Sequence, residues 1–157
     1  MSPVVVFLGI GSNLGNRQLN IERAIQYLKD TSAIFIAEQS SIYQTIPEGG
    51  PENQPEFLNA VIKINTLLTP FKLLERLKGI ELLLRRKFCS TKWAPRTIDL
   101  DILFYGDLIF ASKDLVIPHP LLHKRYFVLK PLCEIAPNLV HPLIGKSISQ
   151  LLRELKR

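Results

Sequence analysis

A chain of 157 residues with a hydrophobic fraction of 46% and a charged fraction of 22% has the balance of one globular domain, not that of a disordered protein. Its formal net charge of +6 favours anionic partners (nucleic acid, acidic lipid or nucleotide phosphate) without choosing among them. Cys89 and Cys133 form no CxxC pair and have no histidine at ligand spacing, no leader pattern precedes Gly9, and no apolar run nears the ~18 residues of a membrane span, so a reduced, cytoplasmic protein is expected.

Val4 to Ile10 is a short β-branched run that predicts a buried strand. Ile21, Ile25 and Leu28 recur at helical spacing behind Gly15-Asn16 and predict a helix over about 17–29. Ile34 to Tyr43 reads as a second strand, and residues 46–55, with three prolines and two glycines, as a loop. Leu58, Ala60, Ile62 and Ile64 then alternate with Phe57, Asn59, Val61, Lys63 and Asn65, the pattern of a strand with two distinct faces. Thr69-Pro70 opens a helix with the stripe Leu73, Leu74, Leu77, Ile80 and Leu84, while Arg85 to Lys92 is basic, aperiodic and read as irregular. Thr97 to Tyr105 predicts a fourth strand turned at Gly106-Asp107, and Ser147 caps a last helix carrying Ile148, Leu151, Leu152 and Leu155. The order β-α-β-β-α-β fits the α+β ferredoxin-like plan, with an added hairpin, loops and a C-terminal helix, in a single domain over 1–157. Fold alone does not give function.

Two segments bear on chemistry. Gly9, Gly11 and Gly15 have the spacing GxGxxxG, one residue too long for the dinucleotide fingerprint, and no GK[ST] follows. The favoured reading makes them a tight turn, with Ser12, Asn13 and Asn16 capping the turn and helix. The second segment is Trp93 to Leu103. On a strand, Ile98, Leu100, Ile102 and Phe104 take one face and Asp99 and Asp101 the other, the two carboxylates about 7 Å apart from the ~3.3 Å rise. Aspartates are depleted in strands and like charges on one face repel, so a cation such as Mg²⁺ with a polyphosphate would offset the pair. Arg96 brings a fork for phosphate oxygens and Trp93 a flat wall for a ring.

With these residues in view the chain resembles the 6-hydroxymethyl-7,8-dihydropterin pyrophosphokinases of folate biosynthesis. The matching pieces are Gly9 to Gly15, Ser41 to Thr45, Gln54 to Asn59, Ile80-Glu81, Trp93 to Asp101, Val116 to Pro120 and Glu134 to Pro137, in family order along nearly the whole chain. The resemblance implies a Mg²⁺-dependent transfer of pyrophosphate from ATP to the pterin hydroxymethyl group, with AMP released. It implies two Mg²⁺ ions on Asp99 and Asp101, and Arg86 and Arg96 as the catalytic arginines. ATP contacts carry over to Lys78, Glu81, Trp93, Arg96, Ile102, Val116, His119 and Arg125. Pterin contacts carry over to Thr45, Ile46, Pro47, Phe57, Asn59, Trp93 and Phe127. Two departures stand out: Phe88 takes the place of the family's second arginine, which Lys87 or Arg85 could replace, and Phe57 replaces the usual tyrosine.

Such transfers rest on positioning and charge neutralisation. The Pro/Gly segment 46–55 and the basic segment 85–92 are the expected lids, with Arg86 free to move before ligands bind. A monomer is expected, with ATP and 6-hydroxymethyl-7,8-dihydropterin as partners and neither nucleic acid nor membrane. The competing reading is a basic ferredoxin-like nucleic-acid-binding module. Against it, no aromatic-studded run of the RNA-recognition type is present, and Asp99 and Asp101 would repel phosphate without a metal.

Overall fold

The hydrophobic alternation of Val4–Ser12 makes β1 the centre of the sheet, paired antiparallel on both sides. The structure, a computed structural model, describes residues 2–46, 56–88 and 98–155, with backbone only for 86–88. After β1 come α1 (Arg17–Lys29), β2 (Ile34–Gln39), β3 (Tyr43–Thr45), β4 (Phe57–Thr66), α2 (Pro70–Phe88) and β5 (Asp99–Tyr105). A two-stranded hairpin of β6 (Phe110–Ala111) and β7 (Val116–Ile117) follows, then a 3₁₀ turn at Leu122–Lys124, α3 (Tyr126–Ile135) and α4 (Ile148–Leu155). The strand order β2-β4-β1-β5 is the ferredoxin-like arrangement. β2 and β3 lie end to end along one edge of β4, β2 against Ile62–Thr66 and β3 against Phe57–Asn59.

Each face of the sheet buries its own core. Val6, Leu8 and Ile10 of β1, with Ala60, Ile62 and Ile64 of β4 and Leu100 and Ile102 of β5, pack under α1 and α2. Phe7, Val61, Leu103 and Phe104 face the other way and are covered by Val128, Leu129 and Leu132 of α3 and Ile148 and Leu151 of α4. The caps follow the sequence: Asn16 accepts from the Leu19 N–H, Thr69 from Lys72 and Ser147 from Gln150.

Four expectations are corrected. The run from Ile34 to Tyr43 is two strands, because the chain leaves β4 at Ser40 to Ile42 and rejoins it at Tyr43. Phe104 does not share a face with Ile98, Leu100 and Ile102. The register steps from Leu8↔Ile102 to Phe7↔Phe104, so Leu103 is an extra residue and Phe104 turns to the α3–α4 side. The irregular segment expected from Arg85 begins later, since α2 runs through Phe88; Arg, Lys and Leu are good helix formers, and lack of an apolar stripe does not end a helix. Arg86 therefore has a helical backbone, which removes the ground for reading its main chain as mobile. Finally, α3 was not anticipated, since Pro131 in its middle reads as a breaker.

One buried group ties the second core to pH. His141 is 3% exposed and lies edge-on to Phe104, with ring centroids 5.6 Å apart. Its Nδ1 accepts the Leu143 and Ile144 N–H groups, both at 3.2 Å, which requires a ring unprotonated at that nitrogen. Burial, and then the neighbouring His123, push its pKa below the ordinary value. A depressed folded-state pKa means that the unfolded chain takes up the proton first, so this contribution is complete above about pH 6.5 and is lost on acidification. His141→Asn is expected to lower Tm at about pH 7.5 but to narrow its gap from the unsubstituted protein by about pH 5, read by thermal melts across that range.

Candidate active site

The register across β5, β1 and β4 assembles a row of side chains on the α3 face, at the end of the sheet that α3 and α4 leave uncovered. Gly11 stands between Asp99 on one side and Asn59 on the other, and Gly9 between Asp101 and Val61. Both glycines are inside β1, so the expected tight turn is corrected: only Gly15, at φ +68°, has turn geometry. Their function is to keep this face bare. A Cβ at Gly11 would come 2.8 Å from Asn59 Oδ1 and 3.8 Å from a Phe57 ring carbon. Nothing larger than glycine fits between the carboxylates and the amide without moving Asn59.

Over this bare strip lies a cavity of about 440 Å³. Its lining contains Thr45, Ile46, Phe57, Asn59 and Phe127, all expected to contact the pterin, and on a charged side Asp99, Asp101, His119 and Arg125. Asn59, 6% exposed, donates from Nδ2 to Thr45 Oγ1 at 2.6 Å, so β3 fixes the orientation of the amide. Arg125 stands at the N-terminus of α3 with its guanidinium 5.4 Å from the Phe127 ring centroid. The cavity thus carries carboxylates and a guanidinium at one end and is flanked by two aromatic rings at the other.

The carboxylates sit on the outermost strand of the sheet. Burial first, then the charges of Asp99 and Glu81, push the Asp101 carboxyl up to about 6, against the opposing pull of Lys78 and Arg125. A cation beside it would reverse that shift. Among the described residues no group of three metal-ligating side chains is gathered. Two hard carboxylate donors on one face suit Mg²⁺, which completes its shell with water and phosphate oxygens. His119 Nδ1 accepts the Leu121 N–H at 3.2 Å, which leaves the ring proton on Nε2. Burial, then the Arg125 charge, lower its pKa, so at neutral pH it is an uncharged donor.

Other predicted nucleotide residues lie along the open edge of β5, outside the cavity lining. Glu81 accepts the Leu100 N–H through Oε2 at 2.7 Å and lies 3.6 Å from Lys78 Nζ. Its carboxylate thus braces the strand between the two aspartates. The Ile102 side chain is buried among α1 and α2, so that residue can meet a ligand only through its backbone. The His119 N–H bonds the Leu103 carbonyl at 3.0 Å, docking the 116–120 segment beside this edge, and Val116 is exposed on β7. Pro47, Trp93 and Arg96 lie outside the described residues, as does the Arg86 side chain and most of both expected lids. Sequence reading missed Gly9 and Gly11 as parts of the site. The signal was available, since they share parity with Phe7 and not with Val6, Leu8 and Ile10.

Comparison with known proteins shows the family and agrees with the fold. Residues 7–137 match the family model described as 7,8-dihydro-6-hydroxymethylpterin-pyrophosphokinase. A 2-amino-4-hydroxy-6-hydroxymethyldihydropteridine pyrophosphokinase from Aquifex aeolicus is 43% identical over 145 residues, covering 92% of this chain and 88% of that protein. The Bacillus subtilis protein of the same name is 40% identical over 131 residues, 83% of this chain and 77% of its own. The crystal structure of wild-type Plasmodium falciparum HPPK-DHPS with pteroate has the same fold over 97% of this chain, with TM-score 0.78 and 17% identity. This chain spans 42% of that longer one. None of these relationships supports the nucleic-acid-binding reading. By the family match and by these identities, the chain belongs to the 7,8-dihydro-6-hydroxymethylpterin-pyrophosphokinase family.

Proposed function

We propose that the family's reaction, transfer of pyrophosphate from ATP to the hydroxymethyl group of 6-hydroxymethyl-7,8-dihydropterin, takes place over the bare glycine strip of β1. The observation that carries this is the row Asp99–Gly11–Asn59, which sets a carboxylate and a recognition amide on opposite sides of a residue with no side chain. The flat pterin fits between Phe57 and Phe127, with Asn59 and Thr45 reading its polar edge. ATP lies toward the β5 edge, where Lys78, Arg125 and the His119 Nε2–H meet phosphate or ribose oxygens and the Ile102 backbone and Val116 border the base. Ile46 borders the same cavity, and Pro47 and Trp93 are assigned to the pterin by the family resemblance alone.

The substrate oxygen bonds to the β-phosphorus, the bond from that phosphorus to the α-phosphate's bridging oxygen breaks, and AMP leaves with the electron pair. Two Mg²⁺ ions held by Asp99 and Asp101 would neutralise phosphate charge and acidify the attacking hydroxyl. The chain's own contribution is alignment and charge. Asp99 and Asp101 fix the triphosphate end relative to Asn59, and Arg86, Arg96 and Arg125 stabilise charge developing on the phosphoryl oxygens and the leaving AMP. Glu81 keeps the Leu100 backbone, and so the spacing of the two aspartates, in place. Arg86 starts from a helical backbone, so only its side chain need be ordered when the site closes.

Substitution of Asp101 separates function from folding. Its folded-state pKa of about 6 exceeds the ordinary 3.8, so the native ligand-free chain holds an extra proton between about pH 4 and 6 and loses stability as pH rises through that window. Asp101→Asn removes this liability. It is expected to stabilise the ligand-free protein at about pH 7.5 by ~1 kcal/mol, discounted for partial exposure, while turnover falls by about 10³-fold or more. Thermal melts beside a coupled assay of AMP release check both signs; near-normal turnover at limiting Mg²⁺ would remove Asp101 from the metal site. Asn59→Ala is expected to weaken pterin binding by about 1–3 kcal/mol with little change for ATP, because polar groups of the ring lose their partner. Titration of each ligand separately tests it, and equal losses for both would indicate a folding defect.

A further inference from the structure

The cavity has two walls from different layers of the molecule. One is the β3–β4 wall carrying Thr45 and Asn59; the other is the start of α3, with Arg125 and Phe127. Outside the cavity lining, at the last turn of α3, the exposed carboxylate of Glu134 joins these layers. Glu134 accepts the Ser41 N–H at 3.0 Å on Oε1 and 3.2 Å on Oε2, the Ser41 hydroxyl at 2.9 Å on Oε2, and the Tyr43 hydroxyl at 2.7 Å on Oε1. All three donors come from the start of β3 and the residues just before it. That strand is three residues long and, among the described residues, pairs with β4 alone, so its ladder is short. Its last residue, Thr45, is the acceptor that orients Asn59.

We propose that Glu134 is a positioning residue for pterin recognition: it pins β3 to α3, and through Thr45 it sets where the Asn59 amide stands relative to Phe127. This rests on the pterin assignment made above. Exposed hydrogen bonds of this kind add little to global stability, so the effect is on geometry rather than on folding. The latch holds over a wide pH range. The Tyr43 hydroxyl first, helped by the Ser41 donors, holds the Glu134 carboxyl below the usual range, while the same bond pushes the Tyr43 phenol up to about 12. A displacement of Asn59 by a fraction of an ångström is enough to spoil several directional bonds to a planar ring.

The test compares Glu134→Ala, Glu134→Gln and Tyr43→Phe, alone and with Asn59→Ala, in the full chain with MgATP and 6-hydroxymethyl-7,8-dihydropterin. Glu134→Ala is expected to raise the pterin KM about five- to tenfold, with kcat and ATP affinity within about twofold and Tm nearly unchanged. Tyr43→Phe should give a smaller shift in the same direction, and Glu134→Gln, which keeps an acceptor for Ser41, should recover most of the loss. In the Asn59→Ala background, Glu134→Ala should raise the pterin KM by no more than about twofold further, since the route through Thr45 and Asn59 is already broken. Full additivity in the double variant, an unchanged pterin KM in Glu134→Ala, or an equal loss of ATP affinity would overturn the proposal. If Asn59→Ala itself leaves pterin binding intact, it is the pterin assignment that fails, and the two failures are told apart by that single variant.

Discussion

The period-two alternation of β1 governs both the stability of this domain and its chemistry. As the central strand it is paired along both edges, so its side chains have only two directions available. Val6, Leu8 and Ile10 spend one direction on the α1–α2 core. Phe7 spends the other on the α3–α4 core, and two steps further along that same direction the strand carries no side chains at all. The core and the binding surface are therefore two stretches of one face. A one-residue slip would send both to the wrong side at once.

The charged edge shows how the fold tolerates a costly arrangement. Asp99 and Asp101 repel each other, and Asp101 is desolvated as well. They are kept on an outer strand braced by Glu81, itself a third negative charge near the pair. An arrangement that a cationic ligand relieves is a poor use of sequence for stability and a good one for binding. Arg125 and Lys78 soften the repulsion, Lys78 while also pairing with Glu81 at 3.6 Å.

Much of this was legible in the residues. The four long strands, α1, the start of α2 and α4 announce themselves by period and cap, and Asp99 and Asp101 stand out because aspartate is unfavourable on a strand. Other elements gave no local signal. α3 hides behind Pro131, and its helical state depends on burying Val128, Leu129 and Leu132 against the sheet, a tertiary effect that no window of sequence reports. The last turn of α2 is a basic run without apolar period, which in sequence looks the same as a loop. Gly9 and Gly11 suggest a turn because glycine is first of all a conformationally permissive residue. Here its value is steric, and that depends on Asn59 and Phe57 arriving from a strand nearly fifty residues away.

The extra residue at Leu103 has a meaning beyond local geometry. In a regular strand, residues three apart lie on opposite faces, yet Asp101 and Phe104 both project to the α3 side of the sheet. The irregularity acts as a phase shifter, letting a polar segment and an aromatic anchor be specified independently along one strand. Straightening the strand with every residue kept would restore strict alternation and force a choice between seating Phe104 beneath α3 and presenting the carboxylates to the cavity, whereas removing Leu103 would keep both on one face and cost the second core a buried side chain.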